Sequence, residues 1–156
     1  MIVTLVLNTI IGSKNRMRNS LFTEIKVGPL TLPNRIIMGS MHTGLDHTDD
    51  PFGRLAEFYK ERAEGGVALM VTGGVSPNED GLISPGAMKL TDKEQVPSYK
   101  IITDAVHQHG SKILLQILHA GRYAKHEGLV APSAIRSPIN RFEPKAMSEE
   151  LILDTI

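Results

Sequence analysis

The sequence predicts an α/β fold in which parallel strands alternate with helices. Three observations carry that prediction. Short apolar runs at Arg35-Ile-Ile-Met38, Val67-Ala-Leu-Met-Val71 and Lys112 to Leu118 have the length and composition of buried strands. Two segments of helical period separate them. Each run empties into a loop of glycine and small polar residues, the arrangement with which a parallel sheet builds a site at its carboxyl edge. Near-continuous apolar strands of this kind imply a sheet covered on both faces.

Taken in order, the chain opens on Met1 to Ile11, an apolar run too short to span a bilayer. Lys14, Arg16 and Arg18 follow this run, whereas a secretory signal carries its positive charges first. Residues 1–16 are therefore expected to be an unstructured or mis-assigned extension, with Met17 the more natural start and residues 17–156 forming the domain. A weak membrane anchor or an added strand are the alternatives. From Leu21 to Arg35 the turn residues of Val27-Gly28-Pro29 and Leu32-Pro33-Asn34 indicate a half-exposed hairpin. Arg35–Met38 is the first strand of the series and leads into Gly39-Ser-Met-His-Thr-Gly44.

Asp50-Pro51 predicts a helix start, an N-cap acceptor followed by proline at the first helical position. Phe52, Leu55, Phe58 and Tyr59 supply its apolar stripe, and Gly65-Gly66 ends it. Val67–Val71 is the second strand, ending in Thr72-Gly73-Gly74. A glycine- and proline-rich loop runs to Leu90. Thr91 and Glu94 match a capping box, and Val96, Tyr99, Ile102 and Val106 mark the second helix. Gly110 stops it, and Lys112 opens the third strand. Residues 124–147, with three prolines, read as irregular. Ser148-Glu-Glu opens a last helix with an acceptor at the cap and acids in the first turn.

Composition narrows the function. With 17 basic and 17 acidic residues the net charge is zero, which gives no basis for a nucleic acid or an anionic membrane as partner. Cysteine is absent, so this sequence builds no disulfide, zinc–thiolate site or iron–sulfur cluster. That suits a reducing cytoplasm. The pair His107-Gln-His109 has the spacing of a metal motif but falls in a last helical turn, not at a strand end. There a cation favours the helix dipole, so the histidines read as solvated or capping, and no metal site is expected. His42, His47, Asp46 and Asp49 crowd one loop, and Asp50 is accounted for as an N-cap. Neither Gly-x-Gly-x-x-Gly, a P-loop lysine pattern nor Gly-x-Ser-x-Gly occurs.

The three strand-end loops carry the candidate site. If the strands are parallel, these loops share one edge of the sheet. Glycines there let backbone amides approach a flat or charged ligand. Gln116 stands out within its apolar strand. Its side chain both donates and accepts, which suits an imide or pyrimidine edge.

At these positions the sequence resembles a known family. Leu21-Phe22, Leu32-Pro-Asn-Arg-Ile-Ile-Met-Gly-Ser-Met-His-Thr-Gly44, Gln116-Ile-Leu-His-Ala-Gly-Arg122 and Ala131-Pro-Ser-Ala134 resemble the old yellow enzyme family of flavin oxidoreductases. The Gly-Ser-Met-His-Thr-Gly form and Pro138-Ile-Asn-Arg-Phe142 look most like bacterial NADPH-dependent 2,4-dienoyl-CoA reductases. The resemblance covers about residues 20 to 156. It implies a (β/α)8 TIM barrel holding FMN at its carboxyl-end mouth, with NADPH or NADH as reductant and a small enoyl or dienoyl substrate. It implies further that Ser40, Met41 and His42 line the flavin, that Gly73 lets a strand end approach it, and that Gln116 bonds its pyrimidine edge. His119 and Arg122 would lie toward the substrate pocket, although Arg122 could equally be a structural ion-pair residue. FAD and a 4Fe-4S cluster belong to full-length relatives of this type and not to this chain.

A barrel of this class takes ~250 residues. The chain accounts for about three of its eight strands, so the expectation is an amino-terminal portion, truncated, with the proton donor and phosphate loops beyond Ile156. The function expected is FMN-dependent reduction of an activated C=C bond. The alternative is a non-catalytic fragment, or a flavin-binding half completed by a separate chain.

Overall fold

A computed structural model describes residues 20–155. The expectations for residues 1–16, and for Met17 as the start, lie outside the described residues. An antiparallel hairpin, β1 (Ile25–Val27) and β2 (Leu30–Leu32), comes first. Then follow β3 (Ile37–Met38), α1 (Pro51–Glu64), β4 (Leu69–Val75), α2 (Val96–His107) and β5 (Lys112–Ile117). β3, β4 and β5 form one parallel sheet in that order. A small parallel pair, β6 (Val130–Ala131) and β7 (Lys145–Ala146), and a final helix, α3 (Glu149–Thr155), complete the described chain. Among the described residues no helix is long and apolar enough to cross a membrane.

Local chemistry accounts for the element ends. Asp50 caps α1 by accepting the Gly53 amide at 3.0 Å. Beyond the helix, Gly66 takes a left-handed φ of 86°. The amides of Gly66 and Val67 bond back to Ala63 and Arg62, the paired bonds of a Schellman stop. Asn34, buried beyond the hairpin, donates to Gly66 O at 2.8 Å and accepts the Ile36 amide at 2.9 Å. The entry to β3 is thereby tied to the end of α1. Ser148 accepts the Leu151 amide at the start of α3.

The two helices pack together on one face of the sheet. Leu55, Ala56, Tyr59 and Ala63 of α1 and Ile102 and Val106 of α2 close over Met70, with Met38 and Ile113 beside it. Leu69, on the opposite face, packs with Leu32 of the hairpin. A sheet covered by helices on both faces is therefore not what forms. Helices cover one face, and the hairpin covers the other at its amino-terminal end only. This is the layering of a barrel wall, helices outside and a lumen within.

Other expectations also need correction. The strand expected to end at Val71 continues as β4 through Thr72, Gly73 and Gly74 to Val75. The capping box shifts: Gln95, not Glu94, returns its Oε1 to the amides of Thr91 (2.7 Å) and Asp92 (3.2 Å). Val96 of the expected stripe is half exposed, because it sits at the first turn of α2, ahead of the packed Tyr99. Residues 124–147 are not wholly irregular, since β6 and β7 pair within them. Finally, β5 is not buried: Leu114 is 47% and Ile117 72% exposed, because β5 is the sheet's edge and lacks a neighbour on its far side among the described residues.

Candidate functional site

The carboxyl ends of β3, β4 and β5 lie side by side, which brings the three predicted loops together. From the loop after β3, the Ser40 hydroxyl donates to Gln116 Oε1 on β5. Ser40 is exposed and Gln116 half-buried, so the pair stands at the rim of the lumen face. The amide nitrogen of Gln116 remains available on the same side chain.

Between them, β4 carries a bulge. Val71 pairs with Leu114 and Gly74 with Gln116, so Thr72 and Gly73 together oppose Leu115. The extra residue reverses the strand's alternation. Before the bulge Met70 faces the helices; after it Val75 is buried and Gly74 lies level with Gln116. Two amides at the bulge bond to side-chain hydroxyls. Gln116 N donates to Thr72 Oγ1 at 3.0 Å, and Gly73 N donates to the Tyr59 hydroxyl at 3.1 Å.

Glycine is required at Gly73 in the bulge and at Gly74 just after it. A Cβ on Gly73 would lie 2.9 Å from the Met41 carbonyl oxygen and 3.9 Å from His42 Nδ1. On Gly74 it would lie 2.5 Å from Leu118 Cδ2. The loop Ser40-Met41-His42 thus rests directly on the backbone of β4, with Met41 and His42 exposed. Behind the bulge, on the helix side, Met41, His42, Tyr59, Thr72 and Tyr99 help line a mostly apolar cavity of about 30 Å³. That is far below the ~300 Å³ of even a small ligand pocket, so a ligand at these residues would sit on the lumen side.

His119 follows β5. Its Nδ1 accepts the Gly121 amide at 3.1 Å, which places the proton of the neutral ring on Nε2. Nε2 is buried, with no hydrogen-bond partner among the described residues. Burial lowers the imidazole from its ordinary value, with Asp80 acting in the opposite sense. A Cβ on Gly81 would lie 2.7 Å from His119 Cδ2, so the loop after β4 closes against this ring. Arg122 donates to the Tyr123 hydroxyl at 3.3 Å, and no carboxylate among the described residues pairs with it. Asn140 fixes this turn by donating to the carbonyls of Arg122 (2.9 Å) and Ala124 (2.7 Å).

Sequence reasoning missed Tyr59 and Asn140, and placed Thr72 in a site loop without foreseeing its bond to the Gln116 amide. Tyr59 reads as stripe. Asn140 lies within the Pro138–Phe142 motif, which was the available signal. Among the described residues no group of three or more His, Cys, Asp or Glu gathers to hold a metal ion. His109 instead faces Glu64 at 3.6 Å, and His47 faces Asp46 at 3.7 Å.

Parallel strands, helices on the outer face and polar loops at the carboxyl ends define a portion of a (β/α)8 barrel. The chain belongs to the NADH:flavin oxidoreductase / NADH oxidase family, whose profile matches residues 20–156. It is 36% identical over 141 residues to an NADPH dehydrogenase of Listeria welshimeri, covering 88% of this chain and 42% of that one. It is 38% identical over 141 residues to a metal reductase of Desulforamulus reducens (87% and 21%). With an N,N-dimethylglycine/sarcosine dehydrogenase of Chromohalobacter salexigens it shares 35% identity over 145 residues (86% and 20%). The chain thus spans less than half the length of these relatives, between 20% and 42%. Among solved structures, the old yellow enzyme homologue of Zymomonas mobilis superposes with a TM-score of 0.74 at 29% identity, over 86% of this chain and 41% of that one. A 2-naphthoyl-CoA reductase complex superposes with a TM-score of 0.77 at 26% identity (87% and 24%).

Proposed function

We propose that this chain forms part of the flavin domain of an FMN-dependent NAD(P)H oxidoreductase of the old yellow enzyme type. The carrying observation is the convergence of Ser40, Gly73 and Gln116 at three adjacent strand ends, across a bulged strand where no Cβ fits at Gly73 or Gly74. These residues suit the pyrimidine edge of a flavin. Gln116 offers an amide donor beside its acceptor, and Ser40 holds the acceptor end. Gly73 keeps the intervening backbone low enough for a planar ring to approach. Met41 and His42 flank that surface. His42 is the residue we assign to tuning the flavin near its reactive edge. When bound, FMN supplies hydride transfer between a nicotinamide and an oxidised acceptor. This chain's residues bind and orient the ring and exclude water from one side of it. His119 and Arg122 extend the surface toward the substrate pocket.

For the acceptor we propose an activated C=C bond in a small enoyl or dienoyl molecule, as in 2,4-dienoyl-CoA reductases. The motif resemblance and the likeness to a 2-naphthoyl-CoA reductase support that reading. Relatives of similar identity are named for NADPH, amine and metal substrates, so the acceptor is the least constrained part. A cytoplasmic setting, with neither nucleic acid nor membrane as partner, is proposed from the cysteine-free, charge-balanced composition. A second reading is favoured by the exposed edge of β5: the site holds flavin but turns over only when further strands, on a separate chain, close the barrel.

The test is to titrate the purified 156-residue chain with FMN, record the visible spectrum, and then add NADPH under argon. A bound-flavin spectrum that bleaches with NADPH is the expected result. Uptake without bleaching selects the second reading. No uptake at flavin concentrations up to ~1 mM rejects both, since that excludes even a weak site.

A further inference from the structure

We propose that Tyr59 and Thr72 are positioning residues for the cofactor surface: their hydroxyls hold the β4 bulge at which Gly73 supports the Met41 loop and Gly74 turns toward the lumen. This inference rests on the flavin reading above and extends it to two residues that face away from the flavin.

Alternation alone would turn residue 74 toward the helices, with Met70 and Thr72. The bulge at Thr72-Gly73 inserts the extra residue that brings Gly74 level with Gln116 instead. A bulge releases amides from the strand ladder, and a released amide must find another acceptor if it is buried. Here each finds a hydroxyl: Gly73 N meets Tyr59 Oη at 3.1 Å, and Gln116 N meets Thr72 Oγ1 at 3.0 Å. Tyr59 is buried in the helix-side core and belongs to α1, so one bond joins the helix layer to the strand end. Thr72 lies on the helix side as well, lining the small cavity there.

Close packing holds this backbone on the side of Met41 and Leu118, and on the helix side, where the small cavity lies, the two hydroxyl bonds hold it. The Tyr59 ring is independently held, edge-on to Phe58 at 5.2 Å and within the α1–α2 core, so its oxygen is a fixed point. Gly73 in turn supports Met41, whose carbonyl lies 2.9 Å from where a Cβ on Gly73 would sit. Gln116, whose amide Thr72 accepts, is bonded at its side chain to Ser40. The two hydroxyls therefore reach every residue assigned to the flavin edge through one intervening contact. Hydroxyl-free replacements of the same shape, Tyr59→Phe and Thr72→Val, remove the acceptors while keeping most of the volume.

The experiment uses the full chain, ¹⁵N-labelled, as wild type and as Tyr59→Phe, Thr72→Val and Thr72→Ser. Two readouts are taken: the Gly73 and Gln116 amide resonances without flavin, and the FMN dissociation constant with the bound visible spectrum. Tyr59→Phe should move the Gly73 amide upfield and weaken FMN by about 3- to 10-fold, the worth of one hydrogen bond. Thr72→Val should do the same at Gln116, and Thr72→Ser should restore wild-type values. If Tyr59→Phe fails to fold, the Thr72 pair decides. Folded variants whose FMN affinity stays within twofold of wild type overturn the inference and leave the flavin reading intact. A wild-type chain that takes up no FMN overturns both.

Discussion

The Ser40 hydroxyl donates to Gln116 Oε1 across the full width of the three-stranded sheet, from the end of β3 to the end of β5. The residues are 76 apart in sequence, and the strand between them comes no nearer to either than its glycines allow. Gln116→Leu breaks this span while keeping an apolar strand residue. FMN affinity should fall at least ~10-fold, as expected for losing a paired donor and acceptor. The urea midpoint should shift by less than ~0.5 kcal/mol equivalent, since the pair sits at an open rim. Flavin titration and urea melts of the same preparation check both halves.

Gly73→Ala tests the closeness of the β3 loop to β4. The added Cβ would lie 2.9 Å from a backbone oxygen that cannot rotate away. A loss of ~1–3 kcal/mol in unfolding free energy is expected, with an unchanged m-value.

Asn140→Ala removes two donors to the turn at Arg122–Ala124 and the acceptor for the Phe142 amide. At about 1 kcal/mol for each net bond, the loss should come to ~2–3 kcal/mol by chemical denaturation. Amide exchange should quicken first around Tyr123, whose turn Asn140 ties down.

At high pH, Tyr99 supplies a specific signature. Burial raises its phenol from 10.0 to about 12, and its hydroxyl donates to Lys89 O at 2.7 Å. The folded state therefore favours the protonated form. The associated stability is complete below pH 10 and is lost as pH rises toward about 12. Tyr99→Phe should be less stable than wild type at pH 9 and should lose less on going to pH 11, by urea melts at both values.

At low pH the sign reverses for His119. Its folded pKa lies below the ordinary 6.5, so the fold favours the neutral ring. That stability is present above pH 6.5 and falls as pH drops through the folded value. Protonation would also remove Nδ1 as acceptor for the Gly121 amide. His119→Asn keeps an acceptor and cannot titrate, so its stability should vary less than wild type between pH 7 and pH 5.

Much of the architecture was legible in local chemistry. Asp50-Pro51, Gly65-Gly66, Ser148 and the two helical stripes fixed where α1, α2 and α3 begin or end, because caps and periodicity act over a few residues. The Leu32–Gly44 and Gln116–Arg122 motifs pointed to the same family whose profile matches residues 20–156. Gln116 stood out since a polar side chain in an apolar strand calls for a partner.

Tertiary structure alone decided the rest. The apolar run of β5 demanded burial, yet burial depends on a neighbouring strand, and Ile117 is left 72% exposed at the edge. Thr72 stood in a candidate loop and Tyr59 in a helical stripe, but their hydrogen-bonding roles exist only where β4 is bulged against β5. A bulge is a property of two paired strands and not of one. The sequence by itself determined the elements and the residues available for a site. Which way the end of β4 faces was settled by pairing register and by two hydroxyls, one of them donated by a helix, since alternation along a strand is local but its phase is set by the partner strand.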